Sequence, residues 1–230
     1  MKALCVIPAR GGSKRIPRKN IKPFLGRPII SYAIETALKS GLFDEVMVST
    51  DDEEIAEIAR QYGANVPFMR SEEAANDTAP DMVVLREVLT EYKKRGMEFD
   101  VFCSFYPCTP LVTVEKLTEA MRIYQQVEAD MVYPVVRYST CPMKDFVIRD
   151  GYLTRMFPEY TYTRTQDMEP VFAGAGQFYI YNAHTYMEKT DLERTMYGME
   201  IPERETQDID NEFDWKLAEF KYKLIHGMEI

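Results

Sequence analysis

Short apolar runs alternate with helical periodicities along most of the chain. Leu4 to Pro8 is a continuous apolar run of strand length, which reads as a buried strand. Pro28 opens a helix to Lys39, with Ile29, Tyr32, Ala33, Thr36 and Ala37 at helical spacing and Gly41 as its stop. Glu45 to Ser49 reads as a second strand. Asp51 or Asp52 caps the next helix, which runs to Tyr62 and ends at Gly63. The rhythm continues with a strand over 65–69, a helix over 80–94, a strand over 101–106, a helix over 114–127 and a strand over 131–136. Such alternation predicts βαβ units, a parallel sheet with helices on both faces, and right-handed crossovers.

After Val136 the rhythm breaks. Residues 137–172 are rich in aromatics and proline, and hold a hairpin pattern from Phe146 to Leu153 turned at Asp150-Gly151. Gln177 to Tyr181 reads as a returning strand, and a helix over 211–225 closes the chain. The chain therefore reads as one α/β domain over 1–230 with 137–172 as an insertion.

Composition narrows the function classes. With 230 residues, 46% hydrophobic and 28% charged, the chain can bury one ordinary core. No apolar run reaches the ~18 residues of a membrane span. The apolar start meets a basic loop with no small-residue cleavage site, so a cytoplasmic, non-membrane protein is expected. Cys5, Cys103, Cys108 and Cys141 form no Cys-x-x-Cys pair, which argues against zinc and for free thiols. The net charge of −9 is unevenly spread. Residues 1–34 hold Lys2, Arg10, Lys14, Arg15, Arg18, Lys19, Lys22 and Arg27 and no acid. Residues 200–214 hold Glu200, Glu203, Glu205, Asp208, Asp210, Glu212 and Asp214 against Arg204 alone. One cationic loop on an acidic protein suits a small anionic ligand, not a nucleic acid.

That loop is Pro8-Ala9-Arg10-Gly11-Gly12-Ser13-Lys14-Arg15-Ile16-Pro17-Arg18-Lys19-Asn20. It follows the first strand at its carboxyl end, where open sheets bind ligands. Gly11 and Gly12 would let backbone N–H groups approach a phosphate, with Ser13 adding a hydroxyl and Arg10, Lys14 and Lys19 adding charge. The spacing is neither that of a P-loop nor that of the dinucleotide fingerprint. The segment resembles the N-terminal signature of the CMP-sugar synthetases, which include the sialic acid, Kdo and pseudaminic acid cytidylyltransferases. The resemblance implies a Rossmann-like α/β fold, with a mainly parallel sheet, helices on both faces and a small inserted dimerisation region. It implies that CTP lies on the loop, with Arg10 and Lys19 as the catalytic cations at the α-phosphate and Asn20 as the family's loop asparagine. Arg15 resembles the pseudaminic branch.

The resemblance extends along the chain. Ser49-Thr50-Asp51 is similar to the family's second-strand end, and Arg70, Asp77 and Thr78 fall on its nucleotide-binding positions. Tyr106-Pro107-Cys108-Thr109-Pro110 resembles the turn beside the sugar, with Cys108 read as a turn residue and not a nucleophile. Asp208 and Asp210 alternate to one side of an extended segment. Two close carboxylates call for a cation, and Mg²⁺ takes oxygen ligands and phosphates together. An alternative reading makes these acids a helix N-terminal decoration; the family carries a metal-binding Asp-x-Asp here.

Arg164 and Gln166 lie in Arg-x-Gln-Asp-x-Glu-Pro, and Gln177 and Phe178 in Ala-Gly-Gln-Phe-Tyr. Both blocks look like pseudaminic acid cytidylyltransferases. Arg164 is the candidate for holding the sugar carboxylate, against an alternative of surface pairing with Asp167 or Glu169. Tyr106, Gln166, Gln177 and Phe178 complete the expected sugar contacts. The function implied is CMP transfer from CTP to an acidic nine-carbon sugar, with pseudaminic acid preferred and N-acetylneuraminic acid or a related sugar as alternative. The family also implies a homodimer in which the insertion reaches the partner. A silent nucleotide-binding module is the rival of a different class.

Overall fold

A computed structural model describes residues 1–76 and 80–229. The first apolar run is β1 (Ala3–Pro8), buried along nearly its whole length. The loop after it closes with a two-residue ribbon, β2 (Pro23–Phe24) and β3 (Arg27–Pro28), then α1 (Ile30–Ser40). Gly41, at φ 62°, ends α1 in the left-handed conformation that L side chains avoid. β4 (Glu45–Ser49) leads to α2 (Glu53–Gln61), where the Asp52 carboxylate accepts the Ile55 N–H as N-cap. α3 (Glu72–Ala75) and α4 (Asp81–Lys94) follow, then β5 (Val101–Phe105), α5 (Val114–Gln126) and β6 (Met131–Arg137). The insertion carries the hairpin β7 (Phe146–Arg149) and β8 (Tyr152–Arg155), turned by Asp150 and Gly151 at φ 50° and 85°. β9 (Phe172–Gly174), β10 (Phe178–Asn182), α6 (Ala183–Glu188), β11 (Met196–Glu200) and α7 (Glu212–Ile225) complete the chain.

The main sheet runs β11-β6-β10-β5-β1-β4, with β9 paired to β6. β1 is parallel to β4 and β5, and β11 is parallel to β6; β10 and β9 are antiparallel. Arg137 pairs with Phe172, so the insertion leaves and rejoins the sheet at one register pair. One face packs α1, α2 and α5 through Ile30, Ile34, Ile55 and Leu117. The other packs α4 and α6 through Leu85, Val88, Tyr92 and Tyr186.

One expected strand is reduced to a single pair. Within 65–69 only Asn65 joins the sheet, bridging Met47. Its N–H donates to the Val46 carbonyl and its carbonyl accepts from Val48. Pro67 has no N–H to extend the ladder. The short elements α3, α6, β9 and β11 went unread in the sequence pattern.

A third apolar cluster sits beside the sheet and joins Ile16, Phe24, Cys108, Ile209 and Trp215. These residues come from the basic loop, the ribbon, the turn after β5, the Asp-x-Asp segment and α7. The cluster thus fixes three segments that carry candidate chemistry.

Candidate active site

A cleft of about 740 Å³ opens beyond the carboxyl ends of β1 and β5. The loop after β1 supplies Arg10, Ser13, Lys14, Arg15, Lys19 and Asn20. Arg70, Asp81, Tyr106, Cys108 and the segment 207–210 line the remainder. Residues separated by up to 200 positions therefore meet at the strand ends, as the topology of an open sheet requires.

The loop is held from several sides. Asn20 is buried; its amide donates to the Arg10 carbonyl at 2.9 Å, and its Oδ1 accepts from the Cys108 thiol at 3.2 Å. Lys19 donates its ammonium to the Ile209 carbonyl, which fastens the loop to the Asp-x-Asp segment. Arg18, in the left-handed region at φ 55°, forks onto Asp52 and reaches Glu54. The Arg18 hydrogen bond is the main reason the Asp52 carboxyl lies below its usual range.

Gly11 has a different task from the one its sequence suggests. Its N–H donates to Asp51 Oδ1 at 2.9 Å instead of facing the cleft. A Cβ there would stand 2.7 Å from Asp52 Oδ2. Gly11 is thus required by the close approach of the α2 N-terminus. Gly12 is exposed and lies outside the cleft lining.

Arg70 is nearly buried and reads the end of β4: Nε donates to Ser49 Oγ at 3.1 Å and Nη2 to the Ser49 carbonyl at 2.7 Å. Burial lowers its pKa, opposed by the charges of Asp51, Glu87 and Asp81. Asp77 and Thr78 lie outside the described residues. The Tyr106 hydroxyl donates to Asp81 Oδ2 at 2.5 Å. Burial, then the Asp81 charge, pushes the Tyr106 phenol far above its usual range, so it serves as a hydrogen-bond donor and not as a base. Asp81 escaped the sequence reading because an acid in the first turn of a helix is ordinary. Burial pushes the Cys108 thiol up to about 12, which keeps it protonated at neutral pH.

Asp208 and Asp210 flank Ile209, which is buried in the third cluster, so both carboxylates turn to the cleft. Asp210 pairs with Arg15 at 2.6 Å. Among the described residues no group of three or more His, Cys, Asp or Glu gathers as a metal cage.

Four expected sugar contacts do not line this cleft. Phe178 is fully buried and packs edge-on against Phe105 at 6.1 Å between ring centroids. Its position on β10 alternates inward, and the first face of the sheet claims it. Gln177 is buried as well and donates its amide to the Glu205 carbonyl at 2.7 Å. Arg164 lies exposed on the insertion, with Nε 2.7 Å from Asp167 Oδ2, which is the surface pairing weighed above. Gln166 is exposed beside it. Tyr106 alone of the five faces the cleft.

The cytidylyltransferase family profile matches residues 4–208. The chain belongs to the cytidylyltransferase family. It is accordingly a nucleotidyltransferase, and the cationic loop above is its candidate nucleotide site. It is 36% identical to the pseudaminic acid cytidylyltransferase of Campylobacter jejuni, over 98% of both chains. It is 34% identical to the CMP-N,N'-diacetyllegionaminic acid synthase of Legionella pneumophila, over 95% of both. In solved structures it resembles a CMP:2-keto-3-deoxy-manno-octonic acid synthetase complexed with CTP, at a TM-score of 0.73 and 19% identity, covering 99% of this chain and 100% of that one. At that identity the likeness concerns the fold. Among the described residues no helix is long and apolar enough to cross a membrane.

Proposed function

We propose that the enzyme transfers CMP from CTP to the anomeric hydroxyl of an acidic nine-carbon sugar, releasing pyrophosphate, and that pseudaminic acid is its preferred acceptor. One observation carries the nucleotidyl-transfer reading: a single cleft gathers Arg10, Lys14, Lys19 and Arg70 together with Asp208 and Asp210. Such a cleft meets a triphosphate with cations and offers carboxylates beside them for its counter-ion. The choice of sugar rests on the full-length likeness to the Campylobacter enzyme. Gln177 and Phe178 do not contribute to it, since Phe178 packs in the core and Gln177 is buried on the Glu205 carbonyl.

The donor set at Asp208 and Asp210 fits Mg²⁺, which binds through one or two carboxylates and leaves its other positions to phosphate and water. When bound, the ion would neutralise phosphate charge and polarise the attacking hydroxyl. The protein's own residues do the rest. Arg10 and Lys19 hold the α-phosphate and stabilise charge that grows there in the transition state. Lys19 also keeps the Asp-x-Asp segment at that distance through the Ile209 carbonyl. Neither His184 nor His226 lines the cleft, so no histidine base is assigned.

Pyrophosphate release with CTP and a panel of pseudaminic, legionaminic and N-acetylneuraminic acids and Kdo tests the reading. Pseudaminic acid should give the highest kcat/KM. Faster turnover of another acid would reassign the acceptor, and no release with any of them would favour a silent nucleotide-binding module. Excess EDTA should abolish turnover; full activity in EDTA would remove Mg²⁺ from the scheme.

A further inference from the structure

Arg15 has no task in the phosphate-binding scheme, yet its side chain lies in the cleft. Its Nη1 stands 2.6 Å from Asp210 Oδ2, and the two side chains are 71% and 39% exposed. An ion pair so exposed is weak and readily exchanged. Asp208, on the far side of Ile209, enters no ion pair among the described residues. The protein therefore places a cation of its own on one of its two cleft carboxylates.

The two partners differ in freedom. The Asp210 backbone is fixed: Ile209 is locked in the apolar cluster, Lys19 holds the Ile209 carbonyl, and the Asp210 N–H donates to Asp214 Oδ2 at 2.9 Å. Arg15 follows the chain of its neighbour Ile16, which is fully buried, while its long side chain is largely in solvent. Arg10, Ser13, Lys14 and Lys19 line the same cleft, so phosphates bound there would come within reach of the Arg15 guanidinium. A guanidinium and a divalent ion repel one another and cannot share one carboxylate face at this distance.

We propose that Arg15 is a resident countercharge for Asp210. It competes with the divalent cation and releases the carboxylate when nucleotide phosphates draw the guanidinium away. The inference rests on Asp208 and Asp210 being the metal pair. Its consequence is linkage: nucleotide favours metal, and metal must favour nucleotide by the same factor. The free enzyme thereby fills its metal site less readily without a nucleotide.

Mn²⁺ binding to the whole protein, followed by electron paramagnetic resonance without nucleotide, tests this. Arg15→Gln should bind Mn²⁺ about fivefold more tightly than the wild type, equivalent to ~1 kcal/mol. Arg15→Lys, which keeps the charge, should stay near the wild type. In an Asp210→Asn background the Arg15→Gln change should shift Mn²⁺ affinity by less than about twofold, since its target carboxylate is gone. CTP with a methylene between its α- and β-phosphates should close the gap between wild type and Arg15→Gln. Equal Mn²⁺ affinities for wild type and Arg15→Gln, with Asp208→Asn and Asp210→Asn both weaker, would overturn the role of Arg15 and leave the metal pair standing. Indifference of Mn²⁺ binding to both aspartate changes would overturn the two together. Arg15 is exposed, so circular dichroism should show each Arg15 variant folded.

Discussion

At the scale of single residues, the site depends on positions whose side chains never meet a ligand. Gly11 is the sharpest case, because the space its side chain would occupy belongs to Asp52 Oδ2, 2.7 Å away. Asp52 cannot yield freely: it caps α2 through the Ile55 N–H and is forked by Arg18. Gly11→Ala should therefore cost ~1–3 kcal/mol of stability, the usual penalty of overpacking. It should also displace the loop that carries Arg10 and Lys14, and lower kcat/KM for CTP. A melting temperature and kcat/KM both equal to those of the wild type would show that the loop gives way without cost. Phe178 teaches the converse lesson. It was expected to meet the sugar, yet it is fully buried against Phe105. Phe178→Ala should cost ~3–5 kcal/mol, as large-to-small core changes do, while the order of preference among sugars stays unchanged. A changed order in a variant of undiminished stability would return Phe178 to the sugar site.

At the scale of elements, the junction of β6, α6 and β11 shows how a returning strand is secured. The buried Asp130 carboxylate accepts from Lys189 Nζ at 2.8 Å and from the Thr195 N–H at 2.8 Å. Burial raises the Asp130 pKa, but the Lys189 ammonium and the Thr195 donors outweigh it and hold the carboxyl well below its usual range. A lowered folded-state pKa stabilises the fold above the unfolded value of ~3.9. That stability drains away as pH falls below it towards the folded value. Asp130→Asn should cost ~2 kcal/mol at pH 7, where it leaves Lys189 facing an amide. The gap to the wild type should narrow on acidification below about pH 4; a gap independent of pH would mean that the carboxylate charge is irrelevant there. Elements of this kind mark the limit of what the sequence displays. β1, α1 and β5 are legible because their apolar runs and stop residues are local. Arg10 and Lys19, named from the loop after β1, and Asp208 and Asp210, named from their spacing and the family's Asp-x-Asp, do come together in one cleft. β11, α6 and the Tyr106–Asp81 pair are not, because each depends on a distant partner that no local pattern names. Gln177 and Phe178 differ from the expectation because a motif records residue types only: alternation on β10 turns Phe178 inward, and the distant Glu205 carbonyl holds the Gln177 amide.

At the scale of the molecule, the charge asymmetry of the chain has a structural cause as well as a ligand-binding one. The basic start and the acidic end lie against each other: Arg15 pairs with Asp210, Lys22 with Glu212, and Lys22 also sits over the Trp215 ring at 4.6 Å. Two acids of the run, Asp210 and Glu212, therefore answer the basic loop directly. The insertion contrasts with this closed surface. Ile148, Tyr152 and Leu153 are 73%, 79% and 66% exposed on one hairpin, and Met156 follows them. Ile148 and Leu153 pair directly and share one face of the hairpin, an exposed apolar patch of the kind suited to an interface. The chain should therefore be a homodimer at micromolar concentration in sedimentation equilibrium, joined through this hairpin. Ile148→Asp with Leu153→Asp should yield monomers, since two charges would have to be desolvated at the interface. Nucleotide affinity should survive in those monomers, because the loop, Arg70 and the Asp-x-Asp segment all belong to one chain. Sugar kinetics should not, on the reading that the insertion carries Arg164 and Gln166, which lie outside their own chain's cleft, to the partner's. The monomeric variant should thus show a raised KM for the sugar with CTP binding intact, and Arg164→Ala should reproduce that rise in the dimer. A wild-type protein that sediments as a monomer while fully active would remove both the interface and the shared sugar site.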